Sequence, residues 1–195
     1  MMKPSHLDPA LLALMAGQGG VVSATQAMAC GYTRQELSRL RSGRQPVLIS
    51  LRRGVYALTT EYLAAAPADQ HRMRLAALHI RLVGPAVLTH QSAAAEHVME
   101  LLEPDLSMMH VTREGRSGSR QEAGVQHHVA ELPEHHVVRR EGALDLATLA
   151  RTAVDVARDT NRFECAVAAF DSALRMGVPR EELEEVFARC RSWPG

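Results

Sequence analysis

Apolar positions in the first 60 residues fall in short periodic runs broken by glycine and proline, the pattern of small helices followed by a hairpin. Leu12, Leu14 and Met15 supply an apolar first helix. Ser23 stands where an N-cap is needed for a second, short helix running to Cys30, and Gly31 permits a sharp turn after it. Thr33 and Glu36 have the spacing of a capping box, so a third helix starts abruptly with its first residues projecting outward. Along that helix Leu37 and Leu40 point inward, whereas Arg34, Gln35, Ser38, Arg39 and Arg41 fall largely on the other side. After Gly43 and Pro46, the runs VLISL and VYAL, separated by Arg52-Arg53-Gly54, predict a two-strand hairpin with guanidinium groups at its tip.

Beyond residue 60 the pattern changes. The segment TTEYLAAAPADQ reads as a linker, and an amphipathic helix over 68–82, carrying Met73, Leu75, Leu78 and Leu82, opens a second domain. A short apolar run and a small-residue helix capped near Thr89 or Ser92 follow in AVLTHQSAAAEHVMELL. SMMHVT from Ser107, GVQHHVAEL from Gly124 and HHVVRR from His135 have strand character and suggest a small mixed sheet. Between the first two, residues 113–124 are polar and Gly/Ser-rich, as in a hairpin loop, with Arg113, Arg116 and Arg120 as a candidate second phosphate clamp diluted by Glu114 and Glu122. From Ala143 the chain reads as three packed helices, with apolar faces through Leu146, Leu149, Val154, Val156, Val167, Phe170, Leu174, Leu183, Val186 and Phe187. The expectation is an α+β protein: a winged helix-turn-helix over 1–60, then a mixed α/β domain over 61–195 with a small sheet and a C-terminal three-helix region.

Charge sharpens that division. The chain is neutral overall, 22 basic against 22 acidic side chains, but residues 1–60 carry seven basic groups against only Asp8 and Glu36. A local excess of this size makes an attractive field for a polyanion over one face without a nonspecific coat. Tyr32 and Tyr56 are too few for a stacking platform on single strands, so duplex DNA is the expected partner. The groove-facing candidates are Thr33, Arg34, Gln35, Ser38, Arg39, Arg41 and Arg44, with Arg52 and Arg53 on the wing, where the planar guanidinium matches phosphate geometry.

Other chemistry is weakly signalled. Cys30, Cys165 and Cys190 are odd in number and widely spaced, as for thiols of a reducing compartment. No charged-then-apolar leader and no apolar run of about 18 residues occurs, which points to the cytoplasm. Of the ten histidines, the pairs His127-His128 and His135-His136 would each offer one ring to a sheet face as half of a metal site. With no nearby cysteine and no His-x-x-x-His helix, structural roles are expected for them, as for His90 and His97, and Ser92 sits in no nucleophile motif. Metal-dependent nucleases need clustered carboxylates beside a lysine, and Lys3 is the only lysine. Phosphate-cradling glycine motifs are absent as well. The reading is therefore non-enzymatic, with no cofactor and no metal.

Four blocks in order, LRRGVYAL, LTHQSAAAEH, MMHVTREG with its basic loop, and RTAVDVARD followed by FECAVAAFDSALRMG, resemble the AbiEi family of type IV toxin-antitoxin antitoxins. The resemblance spans nearly the whole chain. It implies a repressor that binds its own operon through the N-terminal domain and neutralises a nucleotidyltransferase-like toxin, or dimerises, through the remainder. Many longer relatives continue past a Trp-Pro-Gly like Trp193-Pro194-Gly195 into a restriction-endonuclease-like domain that this sequence does not contain. The alternative it leaves open is the DNA-targeting half of such an endonuclease.

Overall fold

The computed structural model describes residues 7–115 and 119–190, and in it the chain has an α+β fold of two compact units, Met1–Val83 and Gly84–Gly195. In the first unit α1 (Pro9–Ala16) starts at Asp8, whose carboxylate accepts from Ala10 N–H at 2.7 Å, with Pro9 in the first turn where no donor is needed. Then follow β1 (Val21–Ser23), α2 (Ala24–Ala29), α3 (Arg34–Leu40), β2 (Leu48–Arg52), β3 (Val55–Leu58), α4 (Thr59–Ala64) and α5 (Pro67–Arg81). The expected hairpin is present, but it is part of a three-stranded antiparallel sheet in the order β1-β3-β2, with Val22 opposite Tyr56 and Ile49 opposite Ala57. A three-residue strand such as β1 is too short for periodicity to reveal.

All four residues of β3 are buried. Side chains alternate between the faces of a strand, so each face of this sheet has its own apolar layer. Val22, Leu48, Tyr56 and Leu58 join Leu7, Leu11, Met15, Ala27, Leu37 and Leu40 of the helical layer. Val21, Val55 and Ala57 turn the other way, onto Ala77, with Ile49, Leu51, Tyr62, Met73, Ala76 and Ile80 packed around them. The helix expected to open a second domain is therefore the cover of the first sheet, and the boundary falls between Val83 and Gly84, not near residue 60. The alanine-rich segment read as a linker forms α4 and the start of α5.

The second unit contains β4 (Val87–Leu88), α6 (His90–His97), β5 (Met109–Arg113), β6 (Arg120–Glu122), β7 (Val125–Val129), β8 (Val137–Val138), β9 (Asp145–Ala147) and the helices α7 (Leu149–Asp159), α8 (Phe163–Arg175) and α9 (Arg180–Cys190). Its six-stranded mixed sheet runs β6-β7-β5-β4-β9-β8. Two features depart from expectation. The polar stretch after β5 holds β6, which forms a hairpin with β7 through Ala123 and Gly124, both at positive φ. That extra strand reverses the chain once more, so β5 and β7 lie parallel instead of as a hairpin. Residues 145–147, read as the start of a helix, form β9, and the helix begins after Thr148, whose hydroxyl accepts from Arg151 N–H.

The three C-terminal helices are as expected, with α7 at their centre. Every residue from Ala150 to Val156 is buried, and Ala150, Ala153, Ala169 and Ala173 are small enough for α7 and α8 to approach closely. Val154, Val156, Leu183 and Val186 take their expected core positions, whereas Val167, Leu174 and Phe187 are 40–44% exposed. Periodicity alone gives α8 and α9 a wider apolar stripe than the unit covers. No helix among the described residues is long and apolar enough to cross a membrane.

A fragment ending at residue 60 would leave Val21, Val55 and Ala57 without their covering helix. We expect residues 1–83 to unfold cooperatively by circular dichroism in urea and residues 1–60 to give no cooperative transition. Two matching transitions would place the boundary back near residue 60.

Candidate functional site

The short helices of the first unit are set by their caps. In α2, Ser23 Oγ accepts from Gln26 N–H at 3.1 Å and the Gln26 side chain accepts from Ser23 N–H at 2.9 Å. Gly31, at φ +94°, makes the turn where a side chain would be strained. In α3, Thr33 Oγ1 accepts from Glu36 N–H at 3.2 Å, while Glu36 Oε2 accepts from both Thr33 N–H at 2.8 Å and the Thr33 hydroxyl at 2.7 Å. These bonds, the backbone one foremost, hold the Glu36 carboxyl below the usual glutamate range. Tyr32 ties the turn to α1, its hydroxyl accepting from Asp8 N–H at 2.9 Å.

Leu37 and Leu40 are buried, and Arg34, Gln35, Ser38 and Arg39 are exposed on the remaining surface of α3, as the spacing predicts. Thr33 is exposed too, but its hydroxyl is engaged in the cap in both donor and acceptor roles. Arg41 is likewise committed: its Nε donates to Leu37 O at 3.2 Å and its guanidinium carbon lies 4.9 Å from the centre of the Tyr56 ring. These contacts tie its side chain to the end of the helix, while the residue itself stays exposed. Arg44 and Arg39 come together instead, lining with Tyr32, Glu36, Leu40 and Val47 an open groove of about 710 Å³. On the wing, Arg53 is exposed in the turn before Gly54, while Arg52 is half-buried at the end of β2. Arg53 thus stands at the tip, with Arg52 beside it at the strand end.

Of the three arginines of the second basic loop, two lie among the described residues. Arg113 is half-buried at the end of β5, Arg120 sits 3.4 Å from Glu122, and Arg116 lies outside the described residues.

The histidines are organised differently from their sequence pairs. His110 on β5 and His128 on β7 share one face, since His110 is opposite Gln126 and Thr112 opposite His128. His90, the first residue of α6, joins them from an unusual backbone position at φ +53°. His110 Nδ1 stands 3.0 Å from His128 Nε2, and the His90 and His128 rings stack with centroids 3.8 Å apart. Thr89 Oγ1 lies 3.0 Å from His90 Nδ1 and 2.8 Å from Thr112 Oγ1. Burial disfavours the charged form of all three rings: it drives His90 well below the usual imidazole range, lowers His110, and takes His128 to about 4. Beside them lies a cavity of about 110 Å³ lined by His90, His128, Arg151, Asp155, Arg158 and Asp159. Asp155 accepts from Arg151 Nε at 2.8 Å through Oδ1, and burial pushes its carboxyl up to about 6 against the pull of Arg151.

The other histidines stay apart from this trio. His127 is on the opposite face of β7, and His97 meets Ala147 O through Nε2 at 2.7 Å. His135 and His136 contact edge to face at 4.4 Å in a single 3₁₀ turn, Glu134–His136. The sequence suggests one ring from His127-His128 and one from His135-His136 on a common sheet face, but His135 and His136 lie in the 3₁₀ turn. The trio instead assembles from three separated elements, and the parallel pairing of β5 with β7 that unites two of them depends on the unanticipated β6.

Two substitutions test this geometry. Thr33→Ala removes the cap of α3, and we expect a loss of about 1 kcal/mol in urea denaturation at neutral pH. His136 is buried, its pKa pushed down to about 4 by burial and then by the charge of His135. The unfolded chain takes up this proton near pH 6.5 and the folded chain only near 4, so its contribution is present above 6.5 and lost as the pH falls to about 4. We expect His136→Gln to flatten the stability profile across that window, and an unchanged slope to contradict the assignment. No protein-family model matches this chain, and no curated protein matches it.

Proposed function

We propose that the chain is a transcription regulator of antitoxin type, binding duplex DNA through α3 and the β2–β3 wing of its first unit. The observation that carries this reading is the two-sidedness of α3: Leu37 and Leu40 anchor it in the core while Arg34, Gln35, Ser38 and Arg39 remain on the exposed side. A helix capped this sharply at its start delivers its first turn to the major groove, where arginine and glutamine read base edges in bidentate fashion. Arg44 and Arg53 supply phosphate contacts, which set register without reading sequence. Charge supports the assignment, because residues 1–83 contain ten basic side chains against four acidic ones. The acidic second unit suits a protein partner better than a second stretch of DNA. Its exposed groove of about 330 Å³, lined by Phe170, Leu174, Leu183 and Phe187, supports such contact, with a nucleotidyltransferase-like toxin or a second copy of the chain as the partner that the AbiEi resemblance implies.

The experiment is a binding titration of the full chain on the DNA upstream of its own gene at two salt concentrations. Specific binding weakens steeply with salt as counterions are released. Arg39→Ala costs about 1–3 kcal/mol on the specific site and relaxes preference at one base position. Arg53→Ala weakens specific and random duplexes alike and lowers the salt slope by about one. Affinity unchanged in both variants, with the fold intact by circular dichroism, would reject the assignment.

A further inference from the structure

We infer that His90, His110 and His128 form a binding site for a divalent cation of the zinc class, three imidazole nitrogens holding the ion and the adjoining polar cavity taking its remaining coordination position. One ligand nitrogen from each ring lies within 4.8 Å of the others, and the nearest pair is already at 3.0 Å. Nitrogens on a tetrahedral zinc stand about 3.3 Å apart, as its bond length of about 2.0–2.1 Å requires. Seating the ion therefore requires the three nitrogens, now within 4.8 Å of one another, to close to about that spacing. Seating it replaces the His110–His128 contact and turns one ring out of the His90–His128 stack.

Donor type selects the ion. Neutral imidazoles suit zinc, cobalt and nickel, whereas magnesium and calcium demand oxygen ligands. The Thr89 hydroxyl beside His90 Nδ1 is the kind of partner that sets the tautomer of a metal-binding ring. A second observation points independently to a ligand in the cavity. The Asp155 side chain is only 4% exposed, lines the same space, and has an Oδ2 with no hydrogen-bond partner among the described residues. A water molecule on a three-histidine ion would supply the donor that this oxygen lacks. Three elements, the start of α6, β5 and β7, converge on the point, and the backbone of His90 holds a strained left-handed conformation where it does so.

The test is calorimetric titration of the metal-stripped full chain with zinc chloride, paired with the visible spectrum of cobalt(II) added to the same protein. Expected are one ion per chain, a Kd at or below about 1 μM, and the intense absorption of tetrahedral cobalt. His128→Gln and His110→Gln should each weaken zinc binding by more than about 100-fold, beyond the effect of outer partners. His135→Gln should leave it unchanged. Long-range proton–nitrogen spectra of the wild-type protein serve should a variant misfold, since zinc must shift ring nitrogens of His90, His110 and His128. Absence of saturable binding, wild-type affinity in His128→Gln, or shifts confined to other histidines would each overturn the site.

Discussion

Every element of the first unit answers to one constraint, that the three-stranded sheet is buried on both faces. Antiparallel sheets commonly leave one face to water, and their strands then alternate apolar with polar side chains. Here β3 is apolar throughout because Tyr56 and Leu58 enter the helical layer while Val55 and Ala57 enter the layer beneath α5. Close approach of the chain tightens the second layer: a side-chain carbon on Gly19 would stand 3.0 Å from the Ala76 methyl, and one on Gly20 would stand 3.0 Å from the end of Met73. The helix-turn-helix is carried on a slab whose position is set from behind.

Local chemistry made much of this unit legible. Capping boxes at Ser23 and Thr33, the turn at Gly31 and the inward pair Leu37 and Leu40 are decided within a few residues, and sequence reasoning identified the caps, the turn and the inward pair correctly. Contacts between distant segments were not legible. β1 and β6 are three residues long and their pairing depends on partners elsewhere, so neither has periodicity to detect. The same limit displaced the domain boundary, since α5 has the same amphipathic pattern whichever unit it covers. Arg41 looked like its neighbours on the helical wheel, and only the folded position of Tyr56 separates it from them.

In the second unit the polar interior is as organised as the apolar one. Arg151 is 2% exposed, yet its charge is met by Asp155 on one side and by the Glu131 carbonyl at 3.1 Å on the other. A buried arginine stripped of one such partner is strongly destabilised, so pairs of this kind hold elements in register more than they add net stability. The link to Glu131 joins α7 to the segment after β7, and β7 carries His128. The placement of the histidine trio thus shares its supports with the core of the helical region.

The outward residues of α3 belong to neither apolar layer. Arg34, Gln35, Ser38 and Arg39 can therefore be exchanged without disturbing the slab beneath, since the caps, the two leucines and the Arg41–Tyr56 contact hold the helix in place. Related chains built on this plan can therefore differ over this one exposed face while keeping a common scaffold.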